Sequence, residues 1–218
     1  MRRKTSKAAR RGGRPSSADA IRLRGRILEA ATELFLKEGY GATSIGAVAA
    51  SARVSKRTLY DRFDDKAVLF AAVVHAIIER IRPPPEVPLI EGATLEDILC
   101  RIAHMILHAA LSPQGLALYR LVAAESARFP ELASAVAGDE SNREATHLIA
   151  SLLMRDPCGA RLSPEDREFA ATQFLFMVAT VPRRRATGYG TPMTAAELEI
   201  WARRVVRLFL GGCRALGA

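Results

Sequence analysis

An all-α protein in two helical parts is what this 218-residue sequence predicts, and three observations predict it. Apolar residues recur at three- and four-residue spacing along most of the chain, and no run shows the alternation or β-branched enrichment of a strand series. Residues that cap helices stand just before several of these runs. The charge is divided: residues 1–70 hold 16 Lys and Arg against 7 Asp and Glu, while the remaining residues balance 16 against 16. The whole excess of +9 therefore lies in the N-terminal third, as expected if that part meets a polyanion and the rest has another task.

Composition excludes several classes. With 49% hydrophobic and 25% charged residues, the chain can bury a core and is not globally disordered. No stretch reaches the roughly 20 apolar residues of a membrane span. The longest apolar run, residues 67–78, contains His75. The basic N-terminus is followed by Asp19, Arg22, Arg24 and Arg26 rather than an apolar segment, so a soluble, cytoplasmic, nucleoid-associated protein is expected. Cys100, Cys158 and Cys213 are odd in number and far apart, which suits free thiols in a reducing compartment.

Residues 1–18 carry seven basic residues and no acidic or large apolar one, so they read as a disordered basic arm. Within it Arg11-Gly12-Gly13-Arg14-Pro15 resembles the Arg-Gly-Arg-Pro core of AT-hook minor-groove binders with one extra glycine, which makes Arg14 a candidate DNA contact. The alternative is a solvated tail attracted to phosphate by charge alone. From residue 19 to 37, Ile27, Leu28, Ala31, Leu34 and Phe35 form the stripe of an amphipathic helix, and Gly39 is its stop. Thr43 or Ser44 can cap a second helix with Ile45, Val48, Ala49 and Ala52 on one face. Arg53-Val54 then turns the chain and Ser55 caps a third helix. Leu59 and Phe63, four apart, face inward there, while Lys56, Arg57, Thr58 and Tyr60 are left for the outer face. Two short helices meeting across a tight turn, the second with a basic and aromatic outer face, read as a helix-turn-helix spanning residues 19–66.

Glu38-Gly39-Tyr40, Thr43-Ser44-Ile45, Val48-Ala49, Ala52-Arg53-Val54-Ser55, Thr58-Leu59-Tyr60, Phe63, Asp65-Lys66 and Leu69-Phe70 together resemble, in order and spacing, the signature of TetR-family regulators. Arg53 stands where that pattern has Gly in the turn, Arg57 where Gly is frequent and Arg62 where His or Tyr is common. A left-handed Arg53 would cost roughly 1 kcal/mol relative to Gly. The resemblance implies that Thr58 and Tyr60 touch phosphate or a thymine methyl and that Thr43 and Lys66 position the DNA backbone; packing against the first helix is the alternative for Thr58 and Tyr60. Lys56 and Arg57 can reach base edges, Arg paired bidentately with guanine being the commonest specific contact. The expected DNA-facing set is thus Thr43, Ser55, Lys56, Arg57, Thr58, Tyr60, Arg62 and Lys66, with Arg14 from the arm.

Residues 67–218 read as a helical regulatory and dimerisation part. Its first helix, from Lys66 to Arg82 behind an Asp65 cap, is apolar nearly all round and so should be buried, ending at Pro83-Pro84-Pro85. Cap patterns at Thr94, Ser112, Ser163 and Thr194 mark further helices, expected over residues 94–111, 113–128, 130–137, 140–155, 163–181 and 194–215. Leu118-Tyr119-Arg120-Leu121-Val122 through Glu125 and Phe129-Pro130-Glu131-Leu132 resemble one branch of TetR-family C-terminal parts.

The TetR resemblance implies a homodimeric repressor released from double-stranded operator DNA by a small-molecule effector. Candidate effector-lining residues are His75, Met105, His108, Tyr119, Phe174 and Met177, a mixture favouring an apolar or aromatic molecule. The apolar sectors of the last two helices supply a candidate dimer face: Phe169, Phe176, Trp201, Val205, Leu208 and Phe209. Cys100, His104 and His108, each four apart, suggest a metal- or haem-dependent sensor as an alternative. Positions eight apart on a helix stand about 12 Å apart and cannot share one ion, so no metal site and no cofactor is assigned. A second alternative is an architectural DNA-binding protein without a ligand switch. No nucleophile elbow or phosphate-binding glycine loop supports an enzyme.

Overall fold

The computed structural model describes residues 17–81, 94–157 and 159–216, which form helices and connecting turns with no strand among them. Arg14 and the AT-hook-like sequence, Pro83-Pro84-Pro85 and Cys158 lie outside the described residues. Among the described residues ten α-helices follow one another: α1 (Ser17–Glu38), α2 (Ile45–Ser51), α3 (Lys56–Tyr60), α4 (Lys66–Ile81), α5 (Leu95–Leu111), α6 (Pro113–Glu125), α7 (Pro130–Ala137), α8 (Glu140–Leu153), α9 (Pro164–Ala186) and α10 (Ala195–Leu216). The last two residues assigned to the arm, Ser17 and Ala18, are already helical.

Short polar side chains start these helices by accepting backbone N–H groups that have no partner in a first turn. The Ser44 hydroxyl accepts from the Ala47 N–H at 3.1 Å, that of Ser55 from Thr58 at 3.0 Å, and the Asp65 carboxylate from Val68 at 2.8 Å. Thr94 and Asp97 form a reciprocal capping box, which Thr194 and Glu197 repeat before α10. Pro113, Pro130 and Pro164 occupy first-turn positions, where no N–H is needed. Gly39, at φ 91°, stops α1 in a conformation that a side chain would strain.

Two apolar clusters hold the helices. The first gathers Ile27, Ala31 and Phe35 of α1, Val48, Leu59 and Phe63 around the turn, and Leu69, Phe70, Val73, Val74 and Ile77 of α4. Leu118 and Leu121 of α6 and Leu132 of α7 complete it, so the helix-turn-helix shares its core with helices from later in the chain. The second is built from α5, α8, α9 and α10, with Leu99, Ile149, Phe174 and Val206 at its centre.

Two features depart from the sequence reading. The α4 helix is not buried all round: Leu69, Phe70, Val73, Val74 and Ile77 face the core, while Val68 and His75 are exposed. The α9 helix does not stop at residue 181 but continues through Pro182 to Ala186. A proline has no N–H for the carbonyl four residues earlier. That carbonyl, on Val178, instead accepts the Trp201 indole N–H at 3.0 Å, so a side chain of α10 supplies the bond that Pro182 withholds.

Candidate nucleic-acid interface

The first core leaves α3 with a buried side and an outer side. Leu59 is fully buried and Phe63 nearly so, which orients the five-residue helix. Ser55, Lys56, Arg57 and Tyr60 are consequently exposed, Tyr60 by half. The Ser55 and Thr58 hydroxyls lie 2.8 Å apart, tying the first turn together and leaving Thr58 half-buried. The Lys56 stem crosses Gly46 of α2 closely: a Cβ at Gly46 would come within 2.9 Å of the Lys56 Cε. Arg24 of α1 lies over the Phe63 ring at 5.5 Å and shares with Arg62 a cleft of about 300 Å³ beside α3. Arg53, Lys56, Arg57 and Arg62, all exposed or half-buried, give the segment from 53 to 62 a basic surface, with Asp61 its one acidic side chain.

Arg53 adopts φ 55°, the left-handed turn conformation that the Gly of the TetR pattern would take without a Cβ penalty. Replacing it by Gly is expected to raise the thermal midpoint by a few degrees, corresponding to about 1 kcal/mol less the greater chain entropy of Gly. An unchanged or lowered midpoint would show that the Arg53 side chain makes up the backbone penalty.

Two other residues expected to face DNA, Thr43 and Lys66, make contacts within the chain. Thr43 is buried, and its hydroxyl donates to the Gly39 carbonyl at 2.7 Å. It closes the α1–α2 turn, and the helix cap falls to Ser44. Lys66 is half-buried with its ammonium 4.2 Å above the Tyr40 ring and 6.0 Å from that of Phe129. Burial pulls its pKa below the usual lysine range, with the Glu125 and Glu131 carboxylates opposing the shift.

The predicted effector-lining residues are dispersed. Phe174 is fully buried, 4.9 Å from Phe209, because the second core closes over it. His75 is exposed, and its Nδ1 faces the Asp139 carboxylate at 3.3 Å. His108 is exposed, Met105 and Met177 are half-buried, and Tyr119 lies beneath the Arg183 guanidinium at 5.1 Å. Desolvation lowers the Arg183 pKa. A cleft of about 160 Å³ opens elsewhere, between Leu28 of α1 and Arg80 of α4. In the Cys100, His104, His108 series, His104 points its Nδ1 at the Cys100 carbonyl and its Nε2 at Glu199. Among the described residues no three His, Cys, Asp or Glu side chains converge as a metal site would require.

The candidate dimer residues divide by face. Phe169, Phe176 and Leu208 are 58%, 62% and 67% exposed. Val205 and Phe209 are buried in the chain's own second core, and Trp201 is held by its bond to Val178. Val205 and Phe209 are corrections, while Trp201 is half-buried: an apolar sector that wide covers two helix faces, and periodicity does not say which is internal. Val181 and Ile200, also exposed, lie on the same two helices as the three that remain.

A short capped helix with a basic outer face, set in a shared core behind a tight turn, defines a helix-turn-helix DNA-binding protein. Comparison with known proteins makes this specific. Residues 27–73 match the family described as bacterial regulatory proteins, tetR family, and residues 97–212 match the AefR-like transcriptional repressor C-terminal domain. The chain belongs to the TetR family of DNA-binding transcriptional regulators, which are not enzymes. Among solved structures, the flavonoid-responsive regulator FrrA is 30% identical, with a TM-score of 0.70 over 88% of this chain and 96% of that one. A TetR-family regulator from Mesorhizobium loti is 29% identical, with a TM-score of 0.67 over 88% and 97%. The regulator UidR of Escherichia coli is 30% identical over 115 residues, so the chain spans about half the length of the curated relatives it matches. Among the described residues no helix is long and apolar enough to cross a membrane.

Proposed function

We propose that the protein is a homodimeric, ligand-responsive repressor that binds a near-palindromic operator. The observation that carries this reading is the exposed Lys56, Arg57 and Tyr60 face on a helix whose other side is locked by Leu59 and Phe63. A dimer formed through the exposed α9 and α10 face would present two such helices to successive major grooves, about one helical turn or a small multiple apart. Arg53 and Arg62 add positive charge beside them and make binding strongly salt-dependent. The likeness of the second part to an AefR-like repressor domain supports repression. The likeness to a flavonoid-responsive regulator supports an aromatic, polyphenol-like effector. Such an effector releases DNA only through its higher affinity for the form with misplaced reading heads.

Selection of bound fragments from the genome, followed by footprinting, tests this reading, and a protected inverted repeat is the expected result. On that operator Tyr60→Ala should weaken binding to every DNA sequence by a similar factor. Arg57→Ala should lose about 1–3 kcal/mol and also relax preference at the base pair it reads. Wild-type affinity and salt slope in both variants would remove α3 from the interface. A panel of flavonoids added to the bound complex tests the effector class, with release of DNA by none of them counting against it.

A further inference from the structure

The turn after α1 is gripped by a side chain from 85 residues later in the chain. Glu125, the last residue of α6, accepts the Tyr40 N–H on its Oε1 at 2.8 Å and the Gly41 N–H on its Oε2 at 2.7 Å. The Tyr40 hydroxyl donates to Glu131 of α7 at 3.1 Å, and its ring meets Phe129 edge-on at 5.1 Å. Both glycines of Gly39-Tyr40-Gly41 are shaped to this contact. A Cβ on Gly39 would stand 2.6 Å from the Glu125 Oε1, and one on Gly41 would stand 3.1 Å from both the Glu125 Oε2 and the Phe129 Cε2. Lys66 at the start of α4 sets its ammonium 4.2 Å over the Tyr40 ring, so the turn, α4, α6 and α7 converge on one ring.

We infer that this Glu125 clasp positions the reading head, and that Glu125 and Gly41 thereby determine the half-site spacing the protein accepts. The inference rests on the dimeric operator reading above. The head is joined in sequence to the rest of the chain only through α4, and the apolar contacts it shares with Leu118 and Leu121 of α6 and Leu132 of α7 are non-directional, so they hold it close without setting its angle. Two charge-assisted hydrogen bonds to successive backbone amides, made from α6, fix a second point, and two points define an orientation. The α1–α2 turn leads directly into α2 and α3, so a shift of the turn is carried to Lys56, Arg57 and Tyr60. The α6 helix is therefore a route from the second part of the chain to the reading head, distinct from α4.

The test uses the full chain and the operator it selects, compared with the same half-sites moved apart or together by single base pairs. Glu125→Ala and Gly41→Ala approach the clasp from its two sides: one removes the carboxylate, the other pushes it away. Gly41, unlike Gly39, is not at positive φ, so its backbone accommodates alanine. Both variants should bind the wild-type operator about tenfold or more weakly and lose discrimination against altered spacings. Hydrogen exchange should quicken at the Tyr40 and Gly41 amides while α9 and α10 keep wild-type protection. If Glu125→Ala fails to fold, Gly41→Ala and Glu125→Gln give the same readouts. A folded variant with faster exchange at Tyr40 and Gly41 but wild-type affinity and spacing preference overturns the positioning role. Unchanged exchange at those amides overturns the clasp itself. If the wild-type chain selects no inverted repeat, the operator reading fails and takes the inference with it, an outcome told apart because the variants play no part in it.

Discussion

Phe35→Ala is expected to destabilise the protein by about 3–5 kcal/mol, the range for deleting a buried aromatic side chain, and to abolish DNA binding. Phe35 is fully buried, its ring 5.5 Å from that of Tyr40 and 5.4 Å from that of Phe70, while Tyr40 and Phe70 are themselves 5.3 Å apart. The three rings join α1, the turn after it and α4, the elements that hold α3 in place. Alanine removes two ring contacts worth roughly 0.5–1.5 kcal/mol each beyond their buried area, and leaves a void that the surrounding helices cannot close without moving the turn. For a chain of this size the loss corresponds to a fall in thermal midpoint of roughly 6–20 °C. The second core contains neither Phe35 nor its partners, so α9 and α10 should retain native hydrogen-exchange protection under conditions where α1 to α4 have lost theirs. A midpoint within 2 °C of wild type, on the same scale as an ordinary surface substitution, would mean that this cluster does not organise the head.

Much of this arrangement was legible because it is written in local chemistry. Ser44, Ser55, Thr94, Ser112, Ser163 and Thr194 each stand where an unpaired N–H must be met, and each accepts one in the structure. Leu59 on the short α3 and Phe63 just beyond its end face one core and so fix which side of α3 looks outward. Three features were not legible, each for a physical reason. The continuation of α9 past Pro182 depends on an indole from α10 meeting the Val178 carbonyl, a partner that no local rule supplies. The inward turn of Val205 and Phe209 could not be told from the outward turn of Leu208, since all three belong to one broad apolar sector and only packing against α5 and α9 separates them. The grip of Glu125 on Tyr40 and Gly41 joins a carboxylate to backbone amides, which carry no sequence signal. The glycines on either side of Tyr40 were the trace it left; in sequence Gly39 reads as a helix stop and, with Tyr40, as part of the TetR-like signature.

Phe176→Glu is expected to convert the protein to a monomer at micromolar concentration and to weaken operator binding by at least about a hundredfold. Phe169, Phe176 and Val181 on α9 and Ile200 and Leu208 on α10 are large apolar side chains left 42–67% exposed, concentrated on two helices that pack against each other. Phe169 and Phe176 lie seven apart, two turns along one side of α9, which is the spacing a second helix would meet. Scattered exposed apolar residues need no explanation, but five on two helices packed together support the proposed dimer face. A glutamate at its centre would have to be buried ionised without a partner or left unburied, and either outcome forfeits the face. The DNA effect follows separately: two linked heads bind the second half-site at high effective concentration, and a monomer loses that advantage without any change in α3. Light scattering, sedimentation and titration of the operator measure these quantities. Trp201→Phe is the informative contrast, since it keeps the exposed Phe176 and Leu208 and removes the indole N–H that the Val178 carbonyl accepts, together with part of the ring. It should cost about 1–3 kcal/mol of chain stability and leave the dimer unchanged. If Phe176→Glu remains dimeric while Trp201→Phe dissociates, the interface lies on the face that Trp201, Val205 and Phe209 share, and the packing of α10 against α5 and α9 would have to open to form it.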